Sequence, residues 1–381
     1  MKQILGKLHL WLGLASGLVV LIVSLTGCLY VFEEELRLFF YRNERIVTAE
    51  SRPFLTPGQL AAAVNRQLPD ARIESMTIEH RPDRAVLVHL KKDKVAGVNP
   101  YTGQVLGVQE EKTEFFHVVE QLHRNLLLGE VGKRIVGVSV LMYLFLLLSG
   151  LVLWWPRYKK AFKQKFSIKW NARWRRVNYD LHSVGGFYAL IFLLVISMTG
   201  LVWAWQWWEN SIFYLLDGKP RDRSKVFSTY QPGAASIPVD RAFAQIHRQF
   251  PGGEQSYVYF PTDSVSTIRV QVRYDKSAIY RKYNMLTFDQ YTGAVLHEKR
   301  YDRFTKGELF RHTNYDLHTG QVLGLPGKIL AFFASLFSAS LPVSGFLVWW
   351  GRRQKACKTL ESRSRPAGNR RKVRQSSGAT L

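Results

Sequence analysis

The chain has 381 residues and a formal net charge of +24, from 53 Lys and Arg against 29 Asp and Glu. Four long apolar stretches exclude an ordinary soluble protein, and two cysteines are too few for a disulfide-stapled one. The mean hydropathy of −0.10 averages those stretches with large polar segments.

In chain order, the first apolar stretch runs from Leu10 to Val31, within a first transmembrane segment over 1–32. Its Leu25-Thr26-Gly27-Cys28 string resembles a lipoprotein cleavage box, but the counterpart Ser197-Met198-Thr199-Gly200 lies deep in the chain, where no signal peptide can be. A polar segment over 33–134 follows, opening on Glu33-Glu34-Glu35, which reads as a solvated flank. Within it, Pro57 to Leu68 has helical apolar spacing and Ala85 to Leu90 alternates as a strand does. The turn Tyr101-Thr102-Gly103 precedes an apolar strand. The second span is predicted over 135–155 and a basic loop over 156–181. The third span covers 182–208, with its apolar core from Gly186 to Trp208. A second polar segment, 209–328, repeats the pattern: a helix over Pro238 to Phe250, a strand over Thr267 to Val272, and Tyr291-Thr292-Gly293 at a turn. The fourth span is predicted over 329–350 and a basic tail over 351–381.

The charge is unevenly spread, and short cytoplasmic segments favour Lys and Arg. The residues before the first span hold 2 basic and no acidic residues, Pro156 to His182 hold 9 against 1, and those after Trp350 hold 10 against 1. The two long polar segments hold 15 against 15 and 17 against 12. The long segments are therefore expected outside a bacterial cytoplasmic membrane, with both termini inside. Cys28 and Cys357 then lie on opposite sides and cannot pair. The basic runs RYKKAFKQKF and NRRKVR follow spans, where anionic lipid is the expected partner and nucleic acid is not.

The two halves repeat one another. Leu8-His9 and Leu181-His182 open spans one and three, and Thr26-Gly27 and Thr199-Gly200 recur 17 residues after each His. Leu122-His123, Ser149-Gly150 and Trp154-Trp155 match Leu317-His318, Ser344-Gly345 and Trp349-Trp350 at an offset of 195. Each half reads as span, outer domain, span. Both halves run in the same sense, so the expected repeat is parallel, with its axis along the membrane normal. The small residues of the Thr-Gly and Ser-Gly pairs are expected to let helices approach closely. The fold class is thus an integral membrane α-helical protein, a four-helix transmembrane bundle with two outer α+β domains.

Histidine beside a span is costly and marks function. His9 and His182 are expected on the cytoplasmic side, and His123 and His318 on the outer side, each pair brought face to face by the repeat axis. Two facing imidazoles suit the axial ligation of haem iron, and the absence of Cys-x-x-Cys-His leaves non-covalent haem b, two per chain. His123 and His318 precede their apolar segments by 12 and 11 residues, which would lift them up to about 18 Å above the span on a continuous helix. Gly129, Gly132, Pro326 and Gly327 predict a break there. His117 and His312 form a further matched pair that could substitute as ligands or touch a substrate. The sequence holds no Walker loop, dinucleotide fingerprint or His-Glu-x-x-His, and no flavin domain.

The segments Leu8-His9 to Thr26-Gly27, Leu122-His123 to Trp155, Asp180-Leu181-His182 to Thr199-Gly200 and Leu317-His318-Thr319-Gly320 to Trp350 resemble the PepSY-associated transmembrane family. The turns at Thr102-Gly103 and Thr292-Gly293 resemble those of PepSY domains. Size and layout are similar to the FoxB-type siderophore reductases of that family. The resemblance implies PepSY-like periplasmic domains and haem-mediated reduction of a ferric siderophore, with release of ferrous iron. A quinol or a cytoplasmic reductase would be the donor. Two other classes fit the sequence: a haem-free membrane-anchored binding or assembly protein, and a siderophore transporter.

Overall fold

The computed structural model describes residues 2–156, 158, 165–274 and 282–364, with side chains through 354. The basic runs after Trp155 and in the tail, and the Cys357 side chain, lie largely outside the described residues. Among those described, four helical stretches are long and apolar enough to cross a membrane: Lys2–Tyr30, Gly129–Trp154, Trp174–Ala204 and Gln321–Gln354.

The first span is a single helix, α1 (Lys2–Tyr30). It begins before the apolar stretch, so His9 lies inside the helix. Two short helices, α2 (Glu33–Phe40) and α3 (Arg42–Arg45), lead outward. The triple glutamate is engaged more closely than a solvated flank would be. Glu33 pairs with Arg37, and both carboxylate oxygens of Glu35 accept at 2.7 Å from the buried Lys328.

Helix α4 (Pro57–Gln67) starts at a capping box in which Thr56 and Gln59 bond each other's backbone, with Pro57 preset at the first position. Strands β1 (Ile73–Glu79), β2 (Val86–Leu90), β3 (Lys94–Val98) and β4 (Val105–Glu110) follow. Helix α5 (Phe115–Asn125), capped by Glu114, leads to the second span, α6 (Gly129–Trp154). In the second half, α7 (Trp174–Asp180), one turn of π-helix (Leu181–Gly185) and α8 (Gly186–Ala204) form the third span. This span ends at Ala204, short of the expected Trp208. Trp205 is extended (φ −134°, ψ 121°), and its indole sits on Gly137, where a Cβ would meet Nε1 at 2.5 Å. Helix α9 (Gln206–Asp217) then leaves the bundle. Helix α10 (Val239–Gln249) and strands β5 (Gln255–Tyr259), β6 (Thr267–Arg273), β7 (Tyr283–Asp289) and β8 (Val295–Arg300) come next. The chain finishes with α11 (Lys306–His318) and α12 (Gly324–Ser364).

The two polar segments, expected as two domains, share one antiparallel sheet in the order β4-β3-β2-β1-β5-β6-β7-β8. Each contributes a four-strand meander, and β1 pairs with β5 from Ser75 opposite Tyr259 to Glu79 opposite Gln255. Both meanders turn at a glycine with positive φ, Gly103 (+73°) and Gly293 (+72°), as the Thr-Gly motifs predict. Helices α4 and α10 cover the sheet. Leu60, Val64, Met76, Val88, Ile246, Val258, Val270 and Leu286 are fully buried between them in one continuous core. Each such side chain stabilises by about 1.5–3 kcal/mol, and neither meander alone could bury this set. Asp240 of α10 binds the start of α4, accepting from Thr56 Oγ1 (2.8 Å) and Gly58 N (2.7 Å), so helix capping also crosses the seam.

Candidate functional site

The four duplicated histidines form two facing pairs. The His9 and His182 ring centres lie 6.5 Å apart with planes at 84°, at the end of the bundle far from the sheet. The His123 and His318 ring centres lie 6.1 Å apart at 71°, at the sheet end. A metal bonded to two opposed ring nitrogens at about 2 Å each would hold the ring centres roughly 6.3 Å apart. Eighteen residues of the continuous helix α1 separate His9 from Gly27, which lies against His123, so the pairs sit about 27 Å apart. That is close to the hydrocarbon thickness of a bilayer, about 30 Å.

The outer histidines reach this depth because the chain breaks before spans two and four, as the glycines predict. Leu126 and Leu127 are left-handed (φ 54° and 60°), and Gly320 turns at φ +75° against Gly327. Helices α5 and α11 are therefore separate from the spans and lie beside α1 and α8. A continuous helix would have lifted both histidines away.

Each imidazole is held at Nδ1, and the partners fix its tautomer. His123 Nδ1 lies 2.8 Å from Val23 O and His318 Nδ1 lies 3.0 Å from Ile196 O. A carbonyl only accepts, so both Nδ1 atoms carry the hydrogen. Thr26 and Thr199 add contacts at 3.2 and 3.0 Å while donating to their own helix carbonyls. At the other end, Ser149 Oγ is 2.8 Å from His9 Nδ1 and Ser344 Oγ is 2.9 Å from His182 Nδ1. These hydroxyls also reach Leu146 O and Leu341 O at 3.2 and 3.1 Å, and when they donate there they accept from the rings. All four Nε2 atoms are then left with free lone pairs, the state of a metal-ligating imidazole oriented by its other nitrogen.

The Thr-Gly and Ser-Gly pairs, expected as helix-packing positions, are the seats of these rings. A Cβ at Gly27, Gly200 or Gly345 would meet the Cε1 of His123, His318 or His182 at 3.2 Å, and one at Gly150 would meet His9 Cε1 at 3.5 Å. The signal in the sequence was the one-to-one match of four His with four Ser/Thr-Gly pairs. Within each half, span one holds the histidine that precedes span two, and span two holds the histidine of span one. The buried Asn178 and Asn314 donate to Ser344 O and Thr199 O, bracing two of the seats. The π-helical turn re-aims His182, a distortion frequent at functional sites. Trp203 packs edge-on against His318 at 5.2 Å.

A cavity of about 720 Å³ opens around His9 and His182, within the range of small-molecule and cofactor pockets. Gly6, Gly13 and Gly150 give it flat walls, Phe187 and Trp349 line it, and Lys2, Lys7 and Arg352 stand at its rim. Among the described residues no three or more His, Cys, Asp or Glu converge, so the available donor set is the two imidazoles of each pair. Two axial nitrogens fit a planar macrocycle that supplies the other four ligands.

His117 and His312 do not share such a site. His312 Nε2 lies 3.1 Å from Tyr283 Oη and its ring stacks on Phe304 at 4.6 Å, which commits it to the outer domain. Burial, with Lys299 and Arg311 nearby, pushes His312 down to about 3. His117 is half-buried on α5, its N–H donating to Glu114.

No curated protein matches the chain. A family described as PepSY-associated TM region matches residues 7–352, from just before His9 to just past the Trp349-Trp350 pair that closes the fourth span. The matched stretch contains both meanders, all four seated histidines, the second and third spans and nearly all of the first and fourth, and the chain belongs to that family of membrane proteins.

Proposed function

We propose that this protein is a dihaem b reductase of a bacterial inner membrane, with His9 and His182 as one axial ligand pair and His123 and His318 as the other. The observation that carries the assignment is the state of the four imidazoles: Nδ1 bonded, Nε2 free, and ring centres 6.5 and 6.1 Å apart. Haem b, when bound, supplies reversible one-electron chemistry with its potential tuned by axial ligands and burial. The Ser and Thr hydroxyls hold the rings in register, the facing glycines leave room for them, and the apolar walls of the far cavity exclude water. The charge bias of the end segments supports placing that cavity on the cytoplasmic side and the sheet in the periplasm. Matched glycine turns and matched histidine seats in the two halves support a tandem parallel repeat of two PepSY-like units.

The substrate follows from the family resemblance: a ferric siderophore, reduced by one electron per iron on the sheet side. Ferrous iron is held less tightly than ferric by hard oxygen ligands, so reduction releases it. A quinol or a cytoplasmic reductase is the donor. The test is a pair of spectra, air-oxidised and dithionite-reduced, with a haemochrome assay, on the full chain and on H9A, H182A, H123A and H318A. Two haems per wild-type chain, one retained in each variant, and reoxidation by a ferric siderophore are expected. A colourless but folded protein overturns the reading in favour of a haem-free binding protein built on the sheet. Bound haem that ferric siderophore leaves reduced removes the substrate and keeps the sites.

A further inference from the structure

A third pair of facing histidines lies outside the spans, at the seam of the sheet. His80 follows β1 in the first half, and His247 lies on α10 in the second. Their ring centres are 5.2 Å apart with planes at 82°. Both Nε2 atoms point at one atom, Ser256 Oγ of β5, at 2.8 Å from His80 and 3.0 Å from His247. Ser256 is fully buried and therefore fixed, whereas His80 is exposed, so the cluster opens to solvent on one side. Phe243 backs the His247 ring at 4.4 Å, and the His80 backbone is pinned by its N–H donating to Glu254 O (2.8 Å).

Without a cation the three groups can form a His–Ser–His hydrogen-bonded chain, with one ring in each tautomer. One hydroxyl hydrogen can serve one imidazole lone pair, and the second ring must turn an Nε2–H to the same oxygen. When both rings carry hydrogen on Nδ1, two lone pairs and the hydroxyl oxygen converge on one point that a single Lewis acid can occupy. We infer that His80, His247 and Ser256 form a binding site for a divalent transition-metal cation, separate from the two bundle pairs. Imidazole nitrogens select zinc, copper, nickel or ferrous iron over calcium and magnesium, which prefer oxygen. Burial lowers the proton affinity of His247 to about 4, with His80 adding to the effect, so this ring is neutral at pH 7, as a ligand must be. With two nitrogens and one hydroxyl from the protein, water completes the coordination. The site is therefore open and exchangeable, unlike a closed structural zinc.

Zinc alone is the probe. Full-length, tag-free protein in detergent is stripped with chelator and titrated with Zn²⁺ by calorimetry, with thermal melts at saturation. The wild type and H297Q, a control at an exposed histidine of β8, are expected to bind one zinc that H80Q and H247Q each bind at least about tenfold more weakly. The zinc-dependent rise in melting temperature should disappear in the same two variants. Equal binding by all four proteins, or none by the wild type up to about 1 mM zinc, overturns the site. His80 is exposed, so H80Q decides the matter even if H247Q folds poorly. Neither readout depends on haem, so this site stands or falls apart from the reductase reading.

Discussion

The Ser344 hydroxyl accepts from His182 Nδ1 at 2.9 Å and so fixes the direction in which the opposite nitrogen points. Removing such a partner from a ligating imidazole typically weakens metal affinity 10- to 100-fold. On the dihaem proposal, Ser344→Ala should therefore speed loss of one haem to a competing apoprotein by about tenfold or more, while the other haem stays. Gly345 makes the complementary point. A methyl there meets His182 Cε1 at 3.2 Å, which the ring can yield to, whereas a larger side chain occupies its place. Gly345→Leu should abolish haem at the far end, and Gly345→Ala should shift its absorption bands without losing it. His312 bears on stability. Its folded-state pKa of about 3 lies below the ordinary value of 6.5, so between those values the unfolded chain binds a proton that the folded chain does not. The stability it permits is complete above pH 6.5 and is lost as pH falls towards 3. His312→Gln should narrow the gap between melting temperatures measured at about pH 7.5 and about pH 5.

At the scale of elements, the decisive feature is that α5 and α11 are not extensions of the spans. Helix α11 starts at Thr305 with a Glu308 capping box, and Asp217 of α9 accepts from both Thr305 Oγ1 (2.6 Å) and Gly307 N (3.0 Å). These bonds tie its start to α9, the helix that follows span three, while its end is set by a turn. There Gly320 folds back on Gly327 so closely that a Cβ would lie 2.1 Å from the Gly327 carbonyl oxygen. Gly320→Val should force this turn open and displace His318 from Ile196 and Thr199, removing the sheet-end haem while the far-end haem remains. A spectrum in which both haems vanish together would mean that the two ends fold as one unit.

Across the whole molecule, each histidine's seat lies within its own half, but the facing features take one member from each: both bundle histidine pairs, the His80 and His247 pair, the β1 to β5 seam and the Asp240 cap on α4. Residues 1–167 expressed alone should bind no haem, and co-expression with 168–381 should restore both haems and co-purification of the halves. Colour in the first half alone would show that its histidines find other ligands. The spans, the Thr-Gly turns, the duplicated histidines and the break before spans two and four were all legible in the sequence, because each rests on local composition or on a recurring motif. The sharing of one sheet by the two outer segments was not, since strand pairing across a seam leaves no periodicity in either strand. Nor did the amino-acid order reveal that span three stops at Ala204, because Trp205, Trp207 and Trp208 read as the interfacial end of a span and only the extended backbone of Trp205, seated on Gly137, takes them out of it. The chain alone determined which histidines are equivalent and on which end of the bundle each lies. Only the tertiary structure decided that small residues read as helix contacts are seats for imidazoles, since a hydroxyl and a missing Cβ acquire that role only when another helix brings a ring against them.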